Sequence, residues 1–429
     1  MRLTTHRFPG YVVTDHEFTV PLNYARPDGE SITVFAREVT TPDREHADLP
    51  WLIFFQGGPG FGAPRPDGSL TWIARAAQDY RVLLIDQRGT ARSTPINHQT
   101  LARLSGPIEQ AAYLKHFRAD NIVRDAEHIR RELIGDRRWS ALGQSYGGFV
   151  ITTYLSMASD GLREAFITGG VPPIDHHPDD VYRRTYPRVR AKNQRYFQRY
   201  PGDAEIVRDI AAYLIDHDVR LPNGDALSVR RFQQLGAALG MSDGFEKVHY
   251  LLEEAFVRGA RGLEMNYAFL RGVENAHAFD TNPIYAILHE PLYCEGVAAH
   301  WSAERIRAEF PEFNYAPDQP LFFTGEMVYP WMFDDYGALR PLKAAAEWLA
   351  ADADWPRLYD KTALQANTVP VAAAVYYDDM YVDRALSEET ASYINGIKLW
   401  ITNEYEHNGL RLDGARILSR LIDLARGKA

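Results

Sequence analysis

Four short, mainly apolar runs, each ending in a glycine-rich or polar turn, constrain this chain more than any other feature. "WLIFF" (51–55) runs into "QGGPGFG", and "RVLLI" (81–85) into "DQRGTARST". "SALGQ" (140–144) meets a serine, and "EAFIT" ends at Gly169 and Gly170. None alternates apolar with polar residues, so each reads as a strand buried on both faces. Helix-like segments lie between them, notably 107–134. Buried strands alternating with helices predict an α/β fold, a mostly parallel sheet with helices on both faces. Residues 11–40 instead read as two extended runs about "RPDGES", whose turn chemistry predicts an antiparallel start.

After about residue 172 the texture becomes helical and rich in Arg, Tyr and Phe. Strand-like runs return at "VPVAAAVYY" (369–377) and "IKLWIT" (397–402), both read as buried, and "GARILSRLIDLAR" closes as an amphipathic helix. The predicted organisation is a core over 1–172, a helical insertion over 173–318, and the rest of the core over 319–429. With 45% hydrophobic residues in 429, there is ample material for such a core.

Lys+Arg 47 against Asp+Glu 57 leaves a net charge of −10, which argues against a nucleic-acid or anionic-membrane partner and for small molecules. The single cysteine, Cys294, forms no internal disulfide and sits in no metal-ligand spacing. The first residues are charged, without the apolar core of a leader, and no run approaches the ~18 apolar residues of a membrane helix. A cytoplasmic protein without metal or cofactor is the expectation; oligomeric state is not readable.

Gly143-x-Ser145-x-Gly147 follows a strand and opens a helix-like stretch. In that context the serine occupies a sharp turn that lifts its hydroxyl above the sheet, and the glycines let strand and helix approach closely. Such a serine needs a base, an orienting acid and an oxyanion hole. The segment after "VPVAAAVYY" offers Asp378, Asp379 and Asp383, and the one after "IKLWIT" offers His407. The oxyanion hole would combine the N–H of Tyr146 with one from "QGGPGFG", where Gly58 permits an inward-pointing amide. That loop lacks the Lys-Ser/Thr of a phosphate-binding loop.

"QGGPGFG", "DQRGTARST", "GQSYGGF" and "EYEHNGLR" together resemble the proline iminopeptidases, specifically their longer bacterial subgroup, within the α/β-hydrolase superfamily. "FAREV", "ILHEPLYCEG", "FTGEMVYPWMF" and "VYYDDMYV" extend the resemblance over nearly the whole chain. Gln56 departs from it where many relatives carry histidine; the donor there is backbone, so little follows. The resemblance implies an α/β-hydrolase fold with a helical cap, Ser145 as nucleophile, His407 as base and Asp379 rather than Asp378 as acid. It also implies two glutamates for the substrate's free amine, Glu326 and, less securely, Glu290, with Glu295 nearby. The aromatics Tyr293, Phe323, Tyr329, Trp331 and Phe333 would wall a proline pocket.

The implied activity is a serine exopeptidase releasing N-terminal proline from peptides. An esterase or amidase on the same triad is the alternative, because fold and triad do not fix the substrate. Asp86 and Arg88 read as loop supports. Three segments read as structural. The basic stretch 181–200 is a helix with a charged outer face, "DHHPDD" (175–180) is a hinge into the cap, and Cys294 is a residue that lies near the pocket or is simply buried.

Overall fold

The computed structural model describes residues 2–260, 262–317 and 319–428. Its centre is a nine-stranded sheet. In chain order the strands are β1 (Arg2–Phe8), β2 (Tyr11–Pro21), β3 (Ser31–Thr40), β4 (Trp51–Phe55), β5 (Arg81–Asp86), β6 (Trp139–Gln144) and β7 (Leu162–Thr168). A separate antiparallel ribbon, β8 (Phe256–Gly259) and β9 (Gly262–Met265), precedes β10 (Val371–Tyr376) and β11 (Lys398–Thr402). The sheet order is β1-β2-β3-β5-β4-β6-β7-β10-β11. β1, β2 and β3 pair antiparallel and β3 joins β5 antiparallel; everything from β5 to β11 is parallel.

The apolar runs are buried on both sides because alternate residues feed two cores. Leu52 and Phe54 of β4 pack with Trp72, Ile73, Ile417 and Leu421 from the helices Thr71–Ala76 and Gly414–Ala425. Ile53 and Phe55 pack on the opposite face with Ile122, Phe149 and Ile151 from the helices Ala119–Ile134 and Tyr146–Met157. The terminal helix lies so close that a Cβ on Gly414 would come 2.6 Å from the Trp72 Cβ.

Between β7 and β10 the chain leaves the sheet. It builds the helices Pro178–Arg199, Asp203–Asp216, Gly244–Glu253 and Tyr267–Ala276 together with the β8–β9 ribbon. Tyr186, Val189, Phe232 and Phe323 from this region belong to the same hydrophobic cluster as the helices under it. Among the described residues, no helix is long and apolar enough to cross a membrane.

Three local readings change. The segment 107–134 is two helices, Pro107–Leu114 and Ala119–Ile134, separated by a tight turn at Lys115–Phe117. β11 is not a buried strand but the sheet edge, with Lys398 and Ile401 exposed. β1, a polar segment that carried no strand prediction, pairs antiparallel along the edge of β2.

Candidate active site

Ser145 follows β6 and caps the helix Tyr146–Met157 at φ 55°, ψ −124°, a left-handed conformation that costs a residue with a side chain about 1–3 kcal/mol. The packing on every side holds it there. A Cβ on Gly143 would lie 2.3 Å from the Gly147 carbonyl oxygen, and one on Gly147 2.0 Å from the Phe55 oxygen. A Cβ on Gly148 would lie 2.3 Å from the Gly170 oxygen, and one on Gly170 2.1 Å from the Ser145 oxygen. The Ser145 amide donates to the Thr168 carbonyl at 2.9 Å, tying the turn to the end of β7.

The loops after β10 and β11, neighbours at the same edge of the sheet, bring an acid to a histidine. His407 Nδ1 and Asp379 Oδ2 are 2.7 Å apart, and both side chains are buried. The other oxygen of Asp379 accepts the amides of Tyr381 (2.8 Å) and Val382 (3.1 Å), which fixes the carboxylate's orientation. Burial opposes a charge on His407, yet Asp379, with Glu326 and Glu406 adding, holds the imidazole pKa above its ordinary value. The neighbouring acids are engaged elsewhere. Asp378 takes Arg195 at 2.8 Å, and Asp383 caps the helix Arg384–Ala391 while accepting from Arg188.

Ser145, His407, Gly57, Gly58 and Glu326 line one cavity of about 560 Å³. Gly57 presses against the elbow, since a Cβ there would sit 2.9 Å from the Ser145 Cβ. Gly58 lies at φ 129°, where a side chain is strained, and precedes Pro59 through a cis peptide bond. Tyr146, first residue of its helix, has no intrahelical acceptor for its N–H. Gly58 lines the same cavity as the serine, and Tyr146 follows the serine directly, with the positive end of its helix behind it.

Glu326 stands at the junction of this cavity with a second, mostly apolar one of about 350 Å³. Part of its side chain faces the open space, while protein surrounds the rest. Burial pushes its pKa up to about 7, against the Tyr285 hydroxyl that donates to it and the opposing charge of His407. Phe61, Met241 and Tyr285 line both cavities, and Trp72 lines the larger.

Glu290 does not reach either cavity. Its two oxygens accept the amides of Ser302 (3.1 Å) and Ala303 (2.8 Å), so it caps the helix Ser302–Arg307. Burial still raises its pKa to about 7. Glu295 likewise accepts the amides of Leu358 and Tyr359. The five aromatics read as pocket walls are elsewhere too. Phe323 is buried against Tyr196, Phe197 and Phe232, Tyr329 against Tyr186 and Phe333 against Trp301, while Trp331 packs on Tyr329 and Tyr293 faces a separate small cavity beside His176 and His177. Phe61, from within the glycine loop, and Tyr285 wall the site instead.

The remaining polar motifs build the frame. Asp86 accepts the amide of Ala63 and both ends of the Arg65 guanidinium at 2.9 Å, and Arg88 is buried against Asp125 and the carbonyls of Pro21, Leu22 and His116. His177 caps the helix Pro178–Arg199 through the Asp179 amide, and no group of described residues could hold a metal ion. Cys294 is fully buried beside the Glu290 carbonyl, outside the cavity, its thiol pKa pushed up to about 12 by burial.

Comparison with known proteins agrees with this fold. The family model for the alpha/beta hydrolase fold matches residues 50–252. A proline iminopeptidase of Aeromonas sobria is 54% identical over 96% of this chain and 96% of its own length. The proline iminopeptidase aneH of Aspergillus aculeatus is 36% identical over 98% of this chain and 95% of its own. A tripeptidyl aminopeptidase of Streptomyces lividans is 28% identical across a much shorter stretch, 36% of this chain. Matched end to end by two such enzymes, one of them alike at more than half its positions, the chain belongs to the proline iminopeptidase family of α/β hydrolases.

Proposed function

We propose that this protein is a serine aminopeptidase that releases N-terminal proline from peptides. The observation that carries the reading is Glu326, a largely enclosed carboxylate opening on the same cavity as Ser145 and His407. A free prolyl terminus is a cationic secondary amine, and taking it out of water requires such an anion. Glu290, with both oxygens committed to backbone amides, is not needed for that task.

In this mechanism His407 removes the Ser145 proton as the hydroxyl attacks the prolyl carbonyl, and the Tyr146 and Gly58 amides hold the developing oxyanion. The imidazolium, oriented and stabilised by Asp379, returns the proton to the leaving amine. Water, deprotonated by the same histidine, then attacks the acyl-enzyme and frees proline. Phe61, Tyr285 and Met241 supply apolar walls for the ring. The insertion over 173–318 acts as the cap that carries the approach to the amine. The lone cysteine and acidic charge support a cytoplasmic enzyme acting on peptides rather than on nucleic acid or membrane.

Hydrolysis of prolyl-2-naphthylamide, alanyl-2-naphthylamide, N-blocked prolyl-2-naphthylamide and a short-chain ester by purified protein, with Ser145→Ala as control, tests the assignment. Ser145-dependent cleavage of the free prolyl compound but not the blocked one is expected. Cleavage of the ester alone would instead make the protein an esterase.

A further inference from the structure

The helix Pro178–Arg199 carries a row of basic residues whose partners fall into two sets. Arg183, Arg190 and Arg199 pair with Glu309, Glu312 and Glu246, and none of these acids adjoins the site. Arg188, Lys192 and Arg195, spaced i, i+4, i+7 and so on one face, pair with Asp383, Glu406 and Asp378. Asp378 immediately precedes Asp379, Asp383 follows it on the same loop, and Glu406 immediately precedes His407.

The Lys192–Glu406 pair is the unusual one. Lys192 is 3% exposed, and one Glu406 oxygen takes its ammonium while the other is buried without a partner among the described residues. The cap grips this loop at other points as well. The His407 amide donates to the Gly240 carbonyl at 3.2 Å, the Glu406 amide to the Ser242 hydroxyl at 3.3 Å, and the Ser242 amide to the Asn408 side chain at 2.9 Å. Tyr381, from the acid's loop, lays its ring 4.5 Å from the imidazole.

We infer that Arg188, Lys192 and Arg195 are positioning residues, a cationic stripe through which the cap holds the acid-bearing and base-bearing loops in mutual register, with Lys192 the member on which His407 depends. The inference rests on Asp379 and His407 having the roles proposed above. The imidazole faces Asp379, Glu326, Glu406 and the Tyr381 ring, and Glu406 in turn faces Lys192, Asp379 and Asp378. Lys192 is therefore the cation that balances a crowd of carboxylates around the base. Without it, Glu406 becomes an uncompensated anion next to His407 and favours the imidazolium, which cannot accept the serine proton.

The test is steady-state hydrolysis of prolyl-2-naphthylamide across pH by Lys192→Met, Glu406→Gln, the double variant, and Arg183→Gln as the control on the same helix. Lys192→Met is expected to lower kcat about tenfold with KM little changed, and to move the acid limb of kcat/KM up by about half a pH unit. Glu406→Gln leaves Lys192 unopposed and moves that limb down; the double variant returns it toward the parent position, and Arg183→Gln leaves it in place. A merely structural role would shift neither limb in a charge-dependent direction. If Lys192→Met does not fold, Glu406→Gln decides alone. An unmoved limb, or equal loss of kcat in Arg183→Gln, overturns the inference. Retained activity in Ser145→Ala and His407→Ala would instead overturn the assignment beneath it.

Discussion

Replacing Glu326 with glutamine should make the protein more stable and nearly inactive at the same pH. Burial raises this carboxyl's pKa from 4.5 to about 7, so above neutrality the fold holds an anion that the unfolded chain would hydrate better. At about 1.4 kcal/mol per pH unit, the climb amounts to about 3 kcal/mol, reduced to about 2 kcal/mol by the water that an open cavity admits. The sign follows from the raised folded value. Below pH 4.5 the group is neutral in both states and costs nothing; the cost grows as pH rises and is complete above about 7. Glutamine keeps the shape and can still accept the Tyr285 hydroxyl, but never ionises. Unfolding of parent and Glu326→Gln should coincide near pH 4.5 and separate by pH 8, the variant being the more stable. Its kcat/KM for prolyl-2-naphthylamide should fall by two to three orders of magnitude, the equivalent of about 3–4 kcal/mol for an enclosed ion pair to the prolyl amine. A variant no more stable than the parent at pH 8 would refute the enclosed-anion argument, and full prolyl activity would refute the amine-binding one.

Asp379→Asn should cost kcat about three to four orders of magnitude, whereas Asp378→Asn, which loses only its bond to Arg195, should cost at most about tenfold; equal losses would reverse the choice between the two. Arg88→Met should lower stability by about 3–5 kcal/mol, read from the melting transition, because it leaves Asp125 as a buried charge with no guanidinium. Iodoacetamide should leave native Cys294 unmodified and the enzyme active, since the thiol is fully buried and its pKa is pushed up to about 12; rapid labelling with loss of activity would place it at the cavity.

The sheet was legible because its strands are buried on both faces, and a run such as "WLIFF" with a glycine loop behind it has few other uses. Ser145, His407 and Gly58 were legible as members of one cavity for a related reason, since each follows a recognisable strand or lies in a marked loop, whereas Glu326 was legible only through the family resemblance. Glu290 shows where that kind of reading stops. In "ILHEPLYCEG" nothing local distinguishes a carboxylate that faces a cavity from one that caps a helix, and its partners Ser302 and Ala303 lie a dozen residues further on. The aromatic wall fails similarly. Rings in "FTGEMVYPWMF" surround Glu326 in sequence, yet Phe61 and Tyr285 come from distant segments and meet only in three dimensions. β11 has the composition of an interior strand, but an edge position is decided by which strands exist to pair with it.

The packing around Ser145 divides the elbow into one place where evolution is free and several where it is not. At 143, 147, 148 and 170 even a single added methyl would collide with main chain, so no one-step replacement there leaves the turn as it is. Position 145 already carries a side chain in its strained conformation and directs it into open space. A lineage descending from this protein could therefore exchange its nucleophile for another small residue by a single codon change, trying a different reaction on an unchanged mount. Reshaping the mount would demand several coordinated changes at once. In such a scaffold, new chemistry is a nearer neighbour than new architecture.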